Sequence, residues 1–96
     1  HHTPPDDRTV VARVRFDPAV TRWVREARSF YTVAEEETPD GLLVTLRMRQ
    51  ERDVVPWLLS WGRQVQVVEP ESLRAMLYEE ATAMIRQLQQ AAPQPT

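Results

Sequence analysis

Two short segments of the chain alternate arginine with apolar residues. Arg13 and Arg15 interleave with Ala12, Val14 and Phe16, and Arg47 and Arg49 interleave with Leu46 and Met48. A period of two puts the arginines on one face of an extended strand and the apolar residues on the other. If the two strands are neighbours, four guanidinium groups converge on one surface. Each group is planar, permanently charged and shaped to grip a phosphate or carboxylate with two parallel hydrogen bonds. Like charges across adjacent strands repel, so such a cluster calls for partners. Arg13, Arg15, Arg47 and Arg49 therefore form a candidate anion site for the phosphates of a single strand or a nucleotide. Two other partners stay open: the chain's own acids (Glu35, Glu36, Glu37, Glu51 or the last helix) and a second subunit.

Most other chemistry is excluded by inventory. The chain holds 96 residues, no cysteine, and two histidines, His1 and His2, which read as the remnant of a purification tag. Thiolate nucleophiles, disulfides and the usual zinc sites cannot be built. A serine nucleophile has no histidine base. Two glycines, Gly41 and Gly62, make no phosphate-cradling loop. No catalytic residue, metal or cofactor is expected. The formal net charge is −2, and all 12 basic residues are arginine, as a GC-rich genome also produces. Overall charge therefore predicts no nucleic-acid binding, and only local clustering of arginines could provide it. No apolar run approaches the roughly 20 residues that cross a bilayer, so a cytoplasmic location is the default expectation.

The elements that must position these arginines follow from periodicity. Residues 1–8 read as tag and linker, 9–90 as one domain, and 91–96, with Pro93 and Pro95, as a disordered tail. Val10 to Phe16 is a strand with one polar face. Asp17-Pro18 is a helix start, and Val20, Trp23, Val24 and Ala27 form an apolar stripe, with Trp23 in the core. Phe30 to Glu37 is a weaker strand whose Glu35-Glu36-Glu37 run suits a solvated edge. Thr38-Pro39-Asp40-Gly41 signals a turn, and Leu42 to Arg49 is the third strand. Asp53 can cap a second helix through Trp57, Leu58 and Trp61, with Pro56 in its first turn and Gly62 as the left-handed residue at its end. Leu58 and Trp61 face inward more readily than Trp57. Gln64 to Glu69 is a short fourth strand, and Pro70 opens a long last helix striped by Leu73, Leu77, Met84 and Leu88. The order is β-α-β-β-α-β plus a helix: an α+β, ferredoxin-like sandwich with an additional C-terminal helix. Strands one and three would be central, and the first two helices would share one face. The extra helix could cover the open face, pack at an edge, or reach a second subunit.

Several of these segments are familiar in detail. "VVARVRFDPAVTRWVRE" (Val10 to Glu26), "PDGLLVTLRM" (Pro39 to Met48) and "VVPWLLSWGRQVQVVEPESLR" (Val54 to Arg74) resemble the WCX domain. That domain is the C-terminal extension of WYL-domain, DeoR-like or helix-turn-helix type 11 bacterial transcriptional regulators. The resemblance runs from about Thr9 to Leu88. Its most specific parts are the Val14-to-Val20 junction and the segment from Trp57 to Pro70. Trp61 stands where the family usually carries Phe. These are fold signatures rather than catalytic motifs. The resemblance implies a protein with an N-terminal winged helix-turn-helix, a WYL domain and this module last. Such regulators are thought to dimerise and to sense a nucleic-acid or nucleotide-like ligand through WYL and WCX. The chain lacks the DNA-reading helix, so no operator binding is expected of it alone.

Two roles stay open on the residues themselves. One is a ligand-sensing and dimerisation module using the arginine face. The other is a purely structural oligomerisation domain, with Trp57, Met76, Tyr78, Met84 and Leu88 as the candidate interface. An RNA-recognition role would require stacking aromatics on the central strands, and their outward positions carry none. A small amino-acid-sensing domain of the same topology would be expected to carry a glycine-rich turn after the first strand, which is missing here.

Overall fold

The computed structural model describes residues 9–90. The expected tag and linker (1–8) and the expected tail (91–96) lie outside the described residues. Along the chain run β1 (Val10–Phe16), α1 (Thr21–Glu26), β2 (Thr32–Thr38), β3 (Gly41–Met48), α2 (Val55–Leu59), β4 (Val65–Glu69) and α3 (Glu71–Gln90). The four strands form one antiparallel sheet in the order β2-β3-β1-β4. The arginine-bearing strands β1 and β3 are thus the two inner ones.

Alternation decides which face is buried. Ala12, Val14 and Phe16 of β1, Leu42, Val44, Leu46 and Met48 of β3 and Val67 of β4 form one core. Val24 of α1, Val55 and Leu58 of α2 and Leu73 of α3 close over them. Each such Leu, Val or Phe contributes roughly 1.5–3 kcal/mol on burial.

The helices are shorter than the stripes suggest. The Asp17 carboxylate accepts the Ala19 N–H at 2.8 Å and starts a 3-10 turn, Pro18–Val20, before α1 begins. This split breaks the 3.6-residue stripe between Val20 and Trp23. Val20 and Val24 are buried, whereas Trp23 is 54% exposed, with the Arg22 guanidinium 5.5 Å from its ring centroid. The expected core role of Trp23 is therefore corrected. Asp53 is corrected too. It lies inside a 3-10 turn, Glu51–Val54, and its carboxylate accepts the Gln50 N–H at 3.3 Å, so Gln50 is the capping residue. Pro56 does sit in the first turn of α2.

Two glycines carry the chain reversals. Gly62 follows α2 at φ +61°, the left-handed conformation expected of it. Pro39 and Asp40 make the tight loop between β2 and β3, and the Thr38 hydroxyl donates to the Gly41 carbonyl at 2.7 Å. Gly41 has φ +135°, and a side chain there would run into the Phe16 carbonyl.

The last helix neither covers the open face nor stands apart. It packs against β4, α2 and the 3-10 turn before α2. Leu73 enters the core, with Met76 and Leu77 partly buried behind it. The second half of α3 is seated less well, leaving Met84, Ile85 and Leu88 exposed.

Candidate functional site: the open sheet face and the free flank of the last helix

The face of the sheet opposite the helices carries the arginines. In the β1–β3 ladder, Val11 stands opposite Arg47, Arg13 opposite Thr45 and Arg15 opposite Leu43. Residues directly opposite share a face, so Arg13, Arg15 and Arg47 lie on one surface. They are staggered, and no two arginines are direct cross-strand partners. Arg13 and Arg47 are diagonal neighbours, a relation that spans roughly 7–8 Å. This arrangement relieves the repulsion expected of a tight cluster. Arg49 falls one residue past the end of β3 and is engaged within the fold.

On the other side of β1, Arg13 stands opposite Glu69 and Arg15 opposite Gln66. The Arg15 guanidinium donates to the Gln66 side-chain oxygen at a long 3.4 Å. Arg13 and Arg15 are partly buried, whereas Arg47 is exposed. The main-chain N–H of Arg47 donates to the Tyr31 carbonyl at 2.9 Å, which fixes its backbone but not its side chain. Thr45 and Leu43 of β3 share this face with the arginines.

The acidic run behaves differently from an idle solvated edge. Glu35 and Glu37 stand opposite Val44 and Leu42, so they point to the helix side of the sheet. There Arg25 of α1 meets Glu37 at 2.8 Å and Glu35 at 3.8 Å, and Arg28 meets Glu35 at 3.3 Å. The Glu35 side chain is only 18% exposed. These carboxylates clamp α1 onto the edge strand and do not neutralise the arginine face. Glu36, opposite Leu43, lies on the open face. Glu51, another expected arginine partner, accepts the Ser72 hydroxyl and ties the 3-10 turn to α3.

The candidate interface residues divide into two groups. Trp57 is half-buried. Its ring packs edge-on against Phe16 at 5.5 Å, and its N–H donates to the Ala27 carbonyl at 3.1 Å. It is pinned to its own domain rather than offered as a free anchor. Trp61 packs on Phe16 and Trp57 in the same manner. Met76 is partly buried beside Val55, Pro56 and Leu59. Tyr78 is 73% exposed, Leu88 70% exposed, and Met84 lies with them at the surface. Met84 and Leu88 line an apolar groove of about 330 Å³ between α2 and α3, with Leu59, Leu77, Ala81 and Ile85.

Some surface residues were not foreseen as site candidates. Phe30 is 93% exposed, stacked edge-on against Tyr31 at 5.3 Å. Its place just outside β2, in the loop after α1, could not be read from a weak strand pattern. Ile85 joins Met84 and Leu88, as helical spacing requires. Among the described residues no cluster of three acids or histidines could hold a metal ion. None of the described helices is long and apolar enough to cross a membrane.

Comparison with known families adds one finding. The model of a family described as WCX domain matches residues 8–85. None of the curated proteins matches the chain.

Proposed function

The chain belongs to the WCX domain family, and on that premise we propose that it is the C-terminal sensing and dimerisation module of a WYL-type transcriptional regulator. Its effector is an anionic, nucleic-acid or nucleotide-like molecule held on the open sheet face. The role is non-catalytic and cytoplasmic, and the partners are the WYL and helix-turn-helix domains of the same protein. The β2-β3-β1-β4 order with α1 and α2 on one face supports a ferredoxin-like reading of the fold.

One observation carries the proposal. Arg13, Arg15 and Arg47 share a sheet face that the described helices leave uncovered, while Glu35 and Glu37 are drawn to the opposite side. Arg13 and Arg47 are diagonal cross-strand neighbours, a separation that one polyanionic effector can span. An effector bound there would favour one arrangement of WYL against WCX, because a ligand shifts a population only by binding one state better. The DNA-binding domains would move in consequence.

The alternative is a structural oligomerisation domain without a ligand of its own. The exposed Tyr78, Met84, Ile85 and Leu88 favour it. Fluorescence anisotropy of a short labelled single-stranded DNA, at low and moderate salt, separates the two. Salt-sensitive binding lost in Arg47→Glu supports the effector role. Absence of binding, with a dimer in sedimentation that Leu88→Glu dissociates, supports the alternative.

A further inference from the structure

Beside the arginine face, β4 closes one side of the sheet. β4 is an edge strand. On its inner side Phe16 stands opposite Val65, Arg15 opposite Gln66 and Val14 opposite Val67. The main-chain N–H of Asp17 donates to the Gln64 carbonyl at 2.9 Å, which makes that pair hydrogen-bonded. Bonded and non-bonded pairs alternate along an antiparallel ladder. Val65 and Val67 are therefore non-bonded positions, and their N–H and C=O groups point outward from the sheet. Among the described residues no other main-chain group meets them.

Beside this edge runs α3, leaving a groove of about 490 Å³. Val65 and Val67 line its strand side, and Arg74, Leu77, Tyr78 and Ala81 line its helix side. Val65, half-buried, and Val67, buried at its side chain, offer two outward donor–acceptor pairs two residues apart, a spacing matched by an extended polypeptide laid alongside as a further strand. Leu77 and Ala81 provide an apolar wall for alternate side chains. Arg74 provides a charge on that wall. Its partner, Glu71 at 3.3 Å, is an exposed pair one helical turn away, which is worth little and opens easily. Glu69 and Glu71 sit at the Pro70 end, so a carboxylate on the added strand belongs at the level of Arg74 and not beyond it.

We propose that the groove between β4 and α3 is a strand-addition site for an extended peptide segment with apolar residues at alternate positions and a carboxylate facing Arg74. The helix supplies the side-chain specificity, and the edge of β4 supplies the main-chain hydrogen bonds.

The test uses a fluorescein-labelled octapeptide that alternates valine with aspartate, read by anisotropy and by amide chemical shifts of the chain. Saturable binding is expected, with shifts and slowed exchange at the Val65 and Val67 amides. Exchanging aspartate for lysine in the probe, or Arg74→Glu in the protein, should weaken binding about tenfold. Ala81→Trp should fill the groove and abolish binding, with Arg74→Glu as the surface variant that leaves the fold untouched. A probe N-methylated at alternate residues should not bind. Equal binding by the N-methylated probe would overturn the proposal, as would binding indifferent to both variants. Absence of binding at millimolar probe would do the same. A dimer that Ala81→Trp dissociates would assign the groove to a second copy of the chain instead.

Discussion

The indole N–H of Trp57 donates to the main-chain carbonyl of Ala27 at 3.1 Å, joining α2 to the residue that ends α1. These two residues are 30 positions apart in sequence. The bond satisfies the polar end of Trp57 inside the domain, and the ring packs edge-on against Phe16. Trp57→Phe should therefore cost about 1 kcal/mol in urea unfolding, the usual net worth of one hydrogen bond. Trp23→Ser, at the exposed neighbouring helix, should change stability by less than about 0.5 kcal/mol.

The arginine face makes a prediction in salt. If Arg13, Arg15 and Arg47 each neutralise one phosphate of a single strand, the logarithm of affinity should fall against the logarithm of salt with a slope near about −2. Arg47→Glu should flatten that slope and leave the melting curve in place, because its side chain is exposed. Loss of folding in this variant would make Arg47 structural and count against the effector role.

The acidic run should prove unequal residue by residue. Glu35→Gln breaks a half-buried carboxylate away from two arginines and is expected to cost about 1–2 kcal/mol. Glu36→Gln, on the open face, should cost less than about 0.5 kcal/mol. Paired unfolding curves of the two variants check this directly. Equal effects would mean that the clamp between α1 and β2 contributes nothing.

Two glycine-to-alanine variants should differ for a stated reason. At Gly62 the only penalty is the left-handed backbone, since nothing lies within 4 Å of the added carbon, and the cost should be about 1–2 kcal/mol. At Gly41 the added carbon collides with the Phe16 carbonyl as well. The hairpin must then separate from β1, so the cost should exceed that of Gly62→Ala by about 1–3 kcal/mol. Thermal unfolding of both proteins ranks them.

Leu88→Glu should leave the monomer's stability within about 0.5 kcal/mol, because that side chain is 70% exposed. Leu73→Ala, at the seated end of the same helix, should cost about 2–5 kcal/mol. A stable dimer, if sedimentation finds one, should be sensitive to Leu88→Glu at unchanged monomer fold.

Much of this architecture is local and was legible for that reason. A period of two over Val10 to Phe16 and Leu42 to Arg49 settles which side chains lie on which face of a strand before any partner is known. Asp17-Pro18, Gly41 and Gly62 mark reversals through backbone preferences that act within one or two residues. The family resemblance rests on the same segments, and the WCX match extends over them. What needed the tertiary structure was everything set by register and by helix length. Arg13 faces Thr45 rather than another arginine because of the β1–β3 pairing, which no single strand encodes. Glu35 and Glu37 turn to Arg25 and Arg28 because the β2–β3 register puts them on the helix side. Trp23 is exposed because the 3-10 turn before α1 breaks the stripe, and Trp57 is pinned because α1 ends at Glu26, which brings the Ala27 carbonyl within reach of the indole. Sequence patterns specify which face a residue occupies along its own element, and only the packing of elements specifies what that face meets.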